Sequence, residues 1–250
     1  MVELRRIDFS YPRCRKTLKG VGCSFETGKL TGILGPNGSG KTTLIKIAAS
    51  ILRQDSGEVI IDGEDASALG LARTSQLVSY VPQKIGFFPD LTVTEAVVTG
   101  RKPYMRWAPS RADKKRVAEI ISLLDLQDIK DKNINEISGG EFQKTLIAQA
   151  LVKEPRIILF DEPLNNLDIK NQIKIMSVIK EITAGMRLAS AIVIHDINMA
   201  ARYCDRFVFM KDGEVANSGD SGCIDADTIA SVFGVRARIE RFDGRPAVLF

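Results

Sequence analysis

The sequence lacks long hydrophobic runs, blocks of like charge and a leader-like N-terminus, and each absence excludes a class of protein. No stretch of 18 apolar residues occurs, so the sequence predicts no membrane-spanning helix, and any membrane role has to come through a partner. The 35 Lys and Arg and 31 Asp and Glu residues are spread along the chain, which argues against a nucleic-acid partner. The first residues contain no apolar segment of signal-peptide length, so we expect a cytosolic chain.

Cysteine and histidine are scarce. The four cysteines lie far apart without a Cys-x-x-Cys pair, and they are Cys14, Cys23, Cys204 and Cys223. This spacing predicts reduced thiols and argues against a disulfide framework or a zinc site. The 250 residues are 44% apolar and 26% charged, an ordinary composition for one or two globular domains with a buried core.

Short apolar runs between Gly and Pro residues predict an α/β fold. The predicted strands are 2–9, 21–25, 30–34, 58–61, 77–81, 157–160 and 191–194, and the predicted helices include 41–52 and 169–182. The first strands form a small antiparallel β element. The continuous apolar runs at 157–160 and 191–194 are typical of strands buried on both faces of a parallel or mixed sheet. A closing hairpin is predicted from 235–240 and 246–250, around Asp243-Gly244.

The middle of the chain has a different pattern. Gly and Pro are frequent from Gln83 to Pro109, and no convincing strand follows before Glu154. Four apolar residues there have i, i+3, i+4, i+7 spacing, namely Val117, Ile120, Ile121 and Leu124. The sequence therefore predicts a helical subdomain over 86–154, inserted into a core made of 1–85 and 155–250.

Residues 35–42 match the phosphate-binding pattern Gly-x4-Gly-Lys-Ser/Thr. They are Gly35, Pro36, Asn37, Gly38, Ser39, Gly40, Lys41 and Thr42, and Thr43 follows them. The glycines allow backbone N–H groups to surround phosphate oxygens, Lys41 reaches the β- and γ-phosphates, and the Thr42 hydroxyl is suited to Mg²⁺. A Gly-rich turn before a helix is the alternative, but the flanking strand and helix favour a nucleotide-binding P-loop NTPase core.

Two adjacent carboxylates follow the predicted strand 157–160. The carboxyl end of a parallel strand faces the ligand edge of the sheet, which favours Asp161 as the metal-side carboxylate. Glu162 is then the general base or water-positioning group for attack on the γ-phosphate. A solvated strand end is the alternative, and the presence of Lys41 makes it the weaker one.

A second phosphate-binding segment is predicted before the helix that carries Phe142 and Leu146. Ser138 and Glu141 form a capping box, which by itself indicates only a helix start. The intervening Gly139 and Gly140 are not needed for a cap, whereas close approach of the backbone to a phosphate does need small residues.

Three further residues are weaker candidates when taken singly. Gln83 ends a predicted strand, and His195, the only histidine, ends the strand 191–194 at the expected ligand edge, where it suits γ-phosphate contact. A structural hydrogen bond is the ordinary role of a single histidine. Tyr11 precedes Pro12 and is either a turn aromatic or a ring that stacks on a base.

Taken together, the motifs resemble those of the ATP-binding cassette (ABC) ATPases over residues 2–220. The matching segments are the phosphate loop 35–42, the Q-loop at Gln83, the signature 137–141, the second Walker motif ending in Asp161-Glu162, the D-loop 164–168 and the switch His195. The resemblance implies that Tyr11 stacks on adenine and that Gln83 senses Mg²⁺ and water. It also implies that Ser138 with Gly140 contacts ATP held by the opposite subunit of a head-to-tail homodimer.

Two positions depart from the family pattern. The signature begins with Ile137 where Leu is usual, and Leu164 replaces the small polar residue that commonly follows Glu-Pro. Neither change removes a catalytic group. The D-loop of this family runs along the subunit boundary, so Leu164 affects the expected geometry across the dimer.

Segments 92–104 and 166–172 resemble the branch that serves iron-siderophore, haem and cobalamin importers. We therefore expect an ATPase at the cytoplasmic face of the membrane that energises a two-copy permease supplied by an extracytoplasmic solute-binding protein. A groove beside Phe87, Phe88 and Leu91 either grips a permease helix or is simply core packing. The alternatives are a soluble cassette ATPase of nucleic-acid repair or translation control and a nucleotide-binding regulator without turnover.

Overall fold

Strands and helices alternate along the computed structural model, which describes residues 1–13, 15–83, 90–105 and 107–250. The strands are β1 (Val2–Ser10), β2 (Lys16–Phe25), β3 (Leu30–Leu34), β4 (Ser56–Ile61), β5 (Glu64–Asp65), β6 (Val78–Val81), β7 (Ile157–Asp161), β8 (Ala189–Val193), β9 (Arg206–Lys211), β10 (Glu214–Gly219), β11 (Arg238–Phe242) and β12 (Arg245–Leu249). The helices are α1 (Lys41–Ala48), α2 (Ala66–Leu77), α3 (Val93–Thr99), α4 (Arg111–Leu123), α5 (Gly139–Leu151), α6 (Ile169–Gly185), α7 (Ile197–Tyr203) and α8 (Ala226–Phe233).

Two sheets organise the chain. The larger has the order β10-β9-β3-β8-β7-β6, in which all neighbours from β9 to β6 are parallel and β10 is antiparallel. The carboxyl ends of β3, β6, β7 and β8 therefore meet at one edge. The second sheet, β2-β1-β4-β5, is antiparallel. The predicted α/β class, with an antiparallel N-terminal element and a mixed sheet, is confirmed.

The core strands are buried on both faces, as their continuous apolar sequences predict. Every residue of β3, β7 and β8 is buried. One hydrophobic cluster fills the space between the two sheets and includes the apolar face of α1. The other joins the larger sheet to α5, α6 and α7. Helix α1 and the ends of β3 and β7 are thereby held rigidly together.

Helices dominate the described part of the segment for which the sequence predicts a helical subdomain. Within 90–105 and 107–154, the only strand-like pairing is an isolated bridge between Thr92 and Asn133. The predicted apolar face is buried in α4 and just after it, at Val117, Ile120, Ile121 and Leu124. None of the helices in the described ranges has the length and apolar character needed to cross a bilayer.

Gly100 follows α3 at a point where the backbone of α5 lies against it. A Cβ atom at Gly100 would lie 2.1 Å from the Gln149 carbonyl oxygen and 2.6 Å from Val152 Cγ1. We expect Gly100→Ala to lower the free energy of unfolding by about 1–3 kcal/mol, because the α3–α5 contact must open to accept the methyl group. Urea denaturation of the purified chain measures this loss.

The matched control for that substitution is Gly185→Ala at the end of α6. A Cβ at Gly185 meets no atom within 4 Å, and its φ is not in the left-handed region. We expect this variant to be neutral or more stable by about 0.4–1 kcal/mol, because alanine restricts the unfolded chain. Equal stability losses in the two variants would contradict the packing argument.

The chain closes with the predicted hairpin, which consists of β11 and β12. Its two-residue turn, Asp243-Gly244, has φ values of 50° and 77°, as a type I′ turn requires. The hairpin is attached to α7 by Asn198, whose amide donates to the Val248 carbonyl at 3.0 Å and accepts from the Val248 N–H at 2.7 Å. The sequence patterns did not predict α2, α7, α8, β9 or β10.

The described cysteines are free, in agreement with the prediction of reduced thiols. Burial raises the pKa of Cys23 to about 12 and that of Cys223 to about 11. The pKa of Cys204 is also raised by burial. The raised pKa values argue against reactive thiolates at these positions. Cys14 lies outside the described residues, as do Phe87 and Phe88.

Candidate functional site

The phosphate loop connects β3 to α1, and its glycines are required by close contacts. Gly35 has a φ of 149°, and a Cβ there would lie 2.2 Å from the Met210 carbonyl oxygen. Gly40 is the N-cap of α1 with a φ of 100°, and a Cβ there would lie 2.7 Å from Leu18 Cδ2. Because the N-cap residue Gly40 has no side chain, the N–H groups at the start of α1 have no side-chain cap. A helix N-terminus of this kind favours an anion.

Lys41 is enclosed by its own loop. Lys41 is only 5% exposed, and its Nζ donates hydrogen bonds of 2.8 Å to the carbonyls of both Gly35 and Pro36. Burial lowers the pKa of Lys41, while the carboxylates of Glu162 and Asp161 oppose that shift. The nearby Ser39 is 2% exposed, and its hydroxyl has no hydrogen-bond partner among the described residues. The loop therefore offers an ammonium group and an unpaired hydroxyl to an anionic ligand.

Asp161 joins the phosphate loop to the end of β7. The residue is 1% exposed, and its Oδ1 accepts a 2.8 Å hydrogen bond from Thr42 Oγ1. Its Oδ2 accepts a 2.9 Å hydrogen bond from Tyr80 Oη, on β6. A hydroxyl and a carboxylate at this separation are the hard oxygen donors that Mg²⁺ prefers.

The chemistry of the donors fits a metal that is shared with a nucleotide. No cluster of three or more His, Cys, Asp or Glu residues able to hold a metal occurs in the described ranges. A site with one carboxylate and one hydroxyl matches Mg²⁺, which binds through one or two protein groups together with substrate phosphates. The residues present therefore fit MgATP better than a free metal ion.

Glu162 is contacted by two amide donors and by the imidazole of His195. Its Oε2 accepts from Gln83 Nε2 and from Asn165 Nδ2, each at 2.5 Å, and its Oε1 lies 2.9 Å from His195 Nε2. Glu162 has a φ of 50°, so the backbone turns sharply after β7 and presents the carboxylate to this cluster. Its side chain is 12% exposed, whereas that of His195 is 43% exposed. The cluster lies directly beside Asp161.

The sequence predicted most of this cluster but not Asn165. Gln83 follows β6, and His195 follows β8, so the parallel order of β6, β7 and β8 brings both to Glu162. Asn165 belongs to the D-loop and reaches back three residues. The only signal for it in the sequence is an amide side chain one residue after Pro163-Leu164, which is too common a pattern to be diagnostic.

The segment 138–141 lies at the start of α5 and forms the predicted capping box. Ser138 Oγ and N–H donate to Glu141 Oε2 at 2.7 and 2.8 Å, and the Glu141 N–H donates back to Ser138 Oγ. These bonds from Ser138 lower the pKa of Glu141. Among the described residues, no hydrogen bond joins this segment to the phosphate loop.

The two glycines of this segment pack against the D-loop and the start of α6. A Cβ at Gly139 would lie 3.3 Å from Leu167 Cδ2, and one at Gly140 would lie 3.0 Å from Asn171 Oδ1. The sequence alone explains these glycines only by the close approach of a phosphate. The structure gives a second reason, because Leu167 and Asn171 leave little room for a side chain at either glycine.

Hydrogen bonds to the first turn of α6 hold the D-loop in place. Asp168 caps α6 by accepting from the Asn171 N–H at 2.7 Å, and Gln172 Nε2 donates to the Leu167 carbonyl at 3.1 Å. Leu164 is 7% exposed and belongs to the hydrophobic core. An apolar side chain is therefore stable at this departure from the family pattern.

Tyr11 lies beside the first turn of α1. Its hydroxyl is 3.3 Å from Thr43 Oγ1, and its ring packs edge-on against Phe9 with a centroid separation of 4.9 Å. The position next to the phosphate loop is compatible with contact to a bound base, which stays a prediction. Leu91 is partly buried against the hydrophobic core, whereas the other two residues of the predicted groove lie outside the described ranges.

Comparisons with known proteins agree with this geometry. Residues 18–165 match the ABC transporter family. An ABC transporter ATP-binding protein of Methanocaldococcus jannaschii, without an assigned substrate, is 41% identical over 97% of this chain and 95% of its own length. The petrobactin import ATP-binding protein of Bacillus subtilis is 32% identical over 98% of this chain and 97% of its own length. The dimeric structure of a bacterial ABC transporter cassette is similar with a TM-score of 0.77 and 31% identity, covering 88% of this chain and 98% of that one.

Proposed function

This chain belongs to the ABC transporter family of ATP-binding proteins, and we propose that it hydrolyses ATP to energise import of a metal chelate through a separate membrane permease. The observation that carries the hydrolytic part is the cluster of Gln83, Asn165 and His195 around Glu162, next to the Thr42–Asp161 pair. A regulator that only binds nucleotide does not need an oriented base of this kind.

ATP binds with its phosphates over the N-terminus of α1. Backbone N–H groups of 35–42 surround the phosphates, and Lys41 exchanges its two carbonyl partners for β- and γ-phosphate oxygens. Thr42 and Asp161 would hold Mg²⁺ together with the nucleotide, and Gln83 lies beside them through its hydrogen bond to Glu162. When bound, Mg²⁺ neutralises phosphate charge as it develops during transfer.

Glu162 orients the attacking water and accepts its proton. In the structure Gln83 and Asn165 contact Oε2 and His195 contacts Oε1, so one acceptor position at Oε1 remains for a water molecule. His195 lies at Oε1 with a side chain that is 43% exposed, which suits contact with a γ-phosphate.

The second half of the site comes from another copy of the chain. Ser138, Gly139, Gly140 and Glu141 expose a helix N-terminus that no hydrogen bond ties to the phosphate loop in the described parts of the same chain. In a head-to-tail homodimer this segment contacts ATP held by the opposite subunit. The dimeric cassette that resembles this chain supports such an arrangement.

The transported solute is proposed from the relatives. The petrobactin import protein, which is similar over nearly the whole chain, supports a metal chelate. We expect an iron-siderophore complex, haem or cobalamin. The chain then acts at the cytoplasmic face of the membrane, bound to a two-copy permease, with a solute-binding protein on the other side. The predicted helical subdomain, of which 90–105 and 107–154 are described, would transmit the nucleotide state to the permease.

Reconstitution tests this function. The chain is incorporated into proteoliposomes with the permease encoded beside it, together with the cognate binding protein. We expect ATP-dependent uptake of a ferric siderophore, haem or cobalamin, and stimulation of ATP hydrolysis by the loaded binding protein. ATP-dependent uptake of phosphonate or sulfate alone would overturn the chelate assignment, and ATP hydrolysis without uptake of any solute would overturn the importer assignment.

A further inference from the structure

The carboxylate of Asp161 is held at both of its oxygens. Thr42 Oγ1 donates to Oδ1 at 2.8 Å, and Tyr80 Oη donates to Oδ2 at 2.9 Å. Asp161 is 1% exposed, so these partners largely determine how its lone pairs are oriented. The bond from Thr42 is part of the site described above. The bond from Tyr80 has no role in that description.

The strand register explains why Tyr80 reaches Asp161. Strands β6 and β7 are parallel neighbours, with Tyr80 opposite Leu159 and Val81 opposite Phe160. Successive side chains of a strand point to opposite faces, so Ser79 and Tyr80 diverge. Ser79 donates to the Ala150 carbonyl of α5, whereas Tyr80 packs against the hydrophobic cluster that includes the apolar face of α1. Its hydroxyl therefore extends along the α1 side of the sheet to the end of β7.

The tyrosine hydroxyl is a permanent donor at this place. A tyrosine phenol has an ordinary pKa of about 10, so it carries its proton throughout the neutral range. Because a carboxylate has only lone pairs to offer, the hydrogen bond has one direction, from Tyr80 to Asp161.

Strand β6 also supplies the group that holds the second carboxylate. Gln83 lies two residues beyond the end of the strand and donates to Glu162. The strand and its exit thus fix both acidic residues at the end of β7, Tyr80 through Asp161 and Gln83 through Glu162. The hydrogen bond of Tyr80 goes to Asp161, so any effect of Tyr80 on a bound metal has to pass through that carboxylate.

We propose that Tyr80 is a positioning residue for the metal-side carboxylate: it fixes Oδ2 of Asp161 so that the remaining lone pairs face Thr42 and the Mg²⁺ that accompanies ATP. This inference rests on the proposed function of the site, in which Asp161 and Thr42 hold that metal. Groups that hydrogen-bond to a metal ligand orient it, and their loss typically costs about 10–100-fold in metal affinity.

Tyr80→Phe removes only the hydroxyl and keeps the ring that packs in the core. The test titrates Mn²⁺ into the purified chain with a non-hydrolysable ATP analogue and follows the free metal by electron paramagnetic resonance. We expect the half-saturating Mn²⁺ concentration to rise about 10-fold. Binding of the same analogue in the presence of EDTA should stay within about 2-fold of wild type, because the phosphate loop is unchanged.

Tyr104→Phe is the matched control. It also deletes a tyrosine hydroxyl, but this hydroxyl donates to the Lys153 carbonyl at 2.9 Å, in the helical subdomain. We expect its Mn²⁺ titration to match that of wild type. Hydrolysis provides a second measure, since in Tyr80→Phe the Mg²⁺ concentration for half-maximal rate should rise while the rate at saturating Mg²⁺ stays within about 3-fold.

Each outcome distinguishes positioning from packing. An unchanged Mn²⁺ titration in Tyr80→Phe overturns the proposal. Equal losses of analogue affinity with and without metal also overturn it, because they assign the hydroxyl to general stability of the site. If the wild-type chain fails to hydrolyse ATP, the proposed function fails, whereas the metal titration of nucleotide binding still decides the role of Tyr80.

Discussion

Glu162→Gln should bind ATP with wild-type affinity and hydrolyse it about 10²–10⁴-fold more slowly. The substitution keeps the shape of the side chain. The Gln oxygen can take the place of Oε2 and accept from Gln83 and Asn165, while its amide can donate to His195 in the other tautomer. What is lost is the negative charge that orients water and accepts its proton. Single-turnover hydrolysis and equilibrium binding of a fluorescent ATP analogue measure the two effects separately.

The same variant also tests the shared site. If hydrolysis normally releases two chains from each other, Glu162→Gln should accumulate as a dimer in size-exclusion chromatography with MgATP and run as a monomer without nucleotide. Glu181→Gln, the same substitution on the exposed side of α6, is the control and should behave as wild type. A Glu162→Gln chain that hydrolyses ATP normally would show that another group activates the water.

Lys41→Ala and Ser138→Arg should both abolish hydrolysis, but for different reasons. Lys41→Ala removes an ammonium group that is nearly buried, and each of its charge-assisted hydrogen bonds contributes about 1.5–3 kcal/mol. We therefore expect ATP affinity to fall about 100-fold in the isolated chain. Ser138→Arg leaves the phosphate loop intact, so the ATP affinity of the monomer should stay within about 2-fold while dimer formation and hydrolysis are lost. Calorimetric titration with ATP, paired with a hydrolysis assay, measures both.

Two controls separate these effects from general damage. Lys46→Ala changes the last turn of the same helix α1 and should not alter ATP affinity. Ser110→Arg removes the capping box at the start of α4, as Ser138→Arg does for α5, but it removes no proposed ATP contact and should therefore retain hydrolysis. Equal ATP affinities in Lys41→Ala and Ser138→Arg would contradict the division of the site between two chains.

Local patterns identified the parts of the site that are contiguous in sequence. The phosphate loop was recognisable because its chemistry, a tight glycine turn between a strand and a helix, is contained in residues 30–48. The same holds for Asp161-Glu162, which follow a continuously apolar strand, and for the capping box of Ser138 and Glu141. In each case a few neighbouring residues fix both the backbone and the chemistry.

Elements were missed where local signals are weak or broken. Helix α2 contains Gly70 with a φ of 72°, so its apolar periodicity is interrupted. Strand β10 alternates between exposed and half-buried residues without a strong apolar face. Strand β9 is stabilised by its parallel pairing with β3, a partner that is distant in sequence. Its short sequence does not reveal that partner.

The sequence by itself determined the fold class and the family and predicted the nucleotide site, because these depend on motifs in which composition and order are sufficient. Only the tertiary structure decided which donors meet the two carboxylates. Gln83, Asn165 and His195 reach Glu162 from three segments, and Tyr80 reaches Asp161 across a strand pair. The physical reason is that sheet order and register are set by the packing of the whole core, and a shift of one residue would turn Tyr80 to the opposite face.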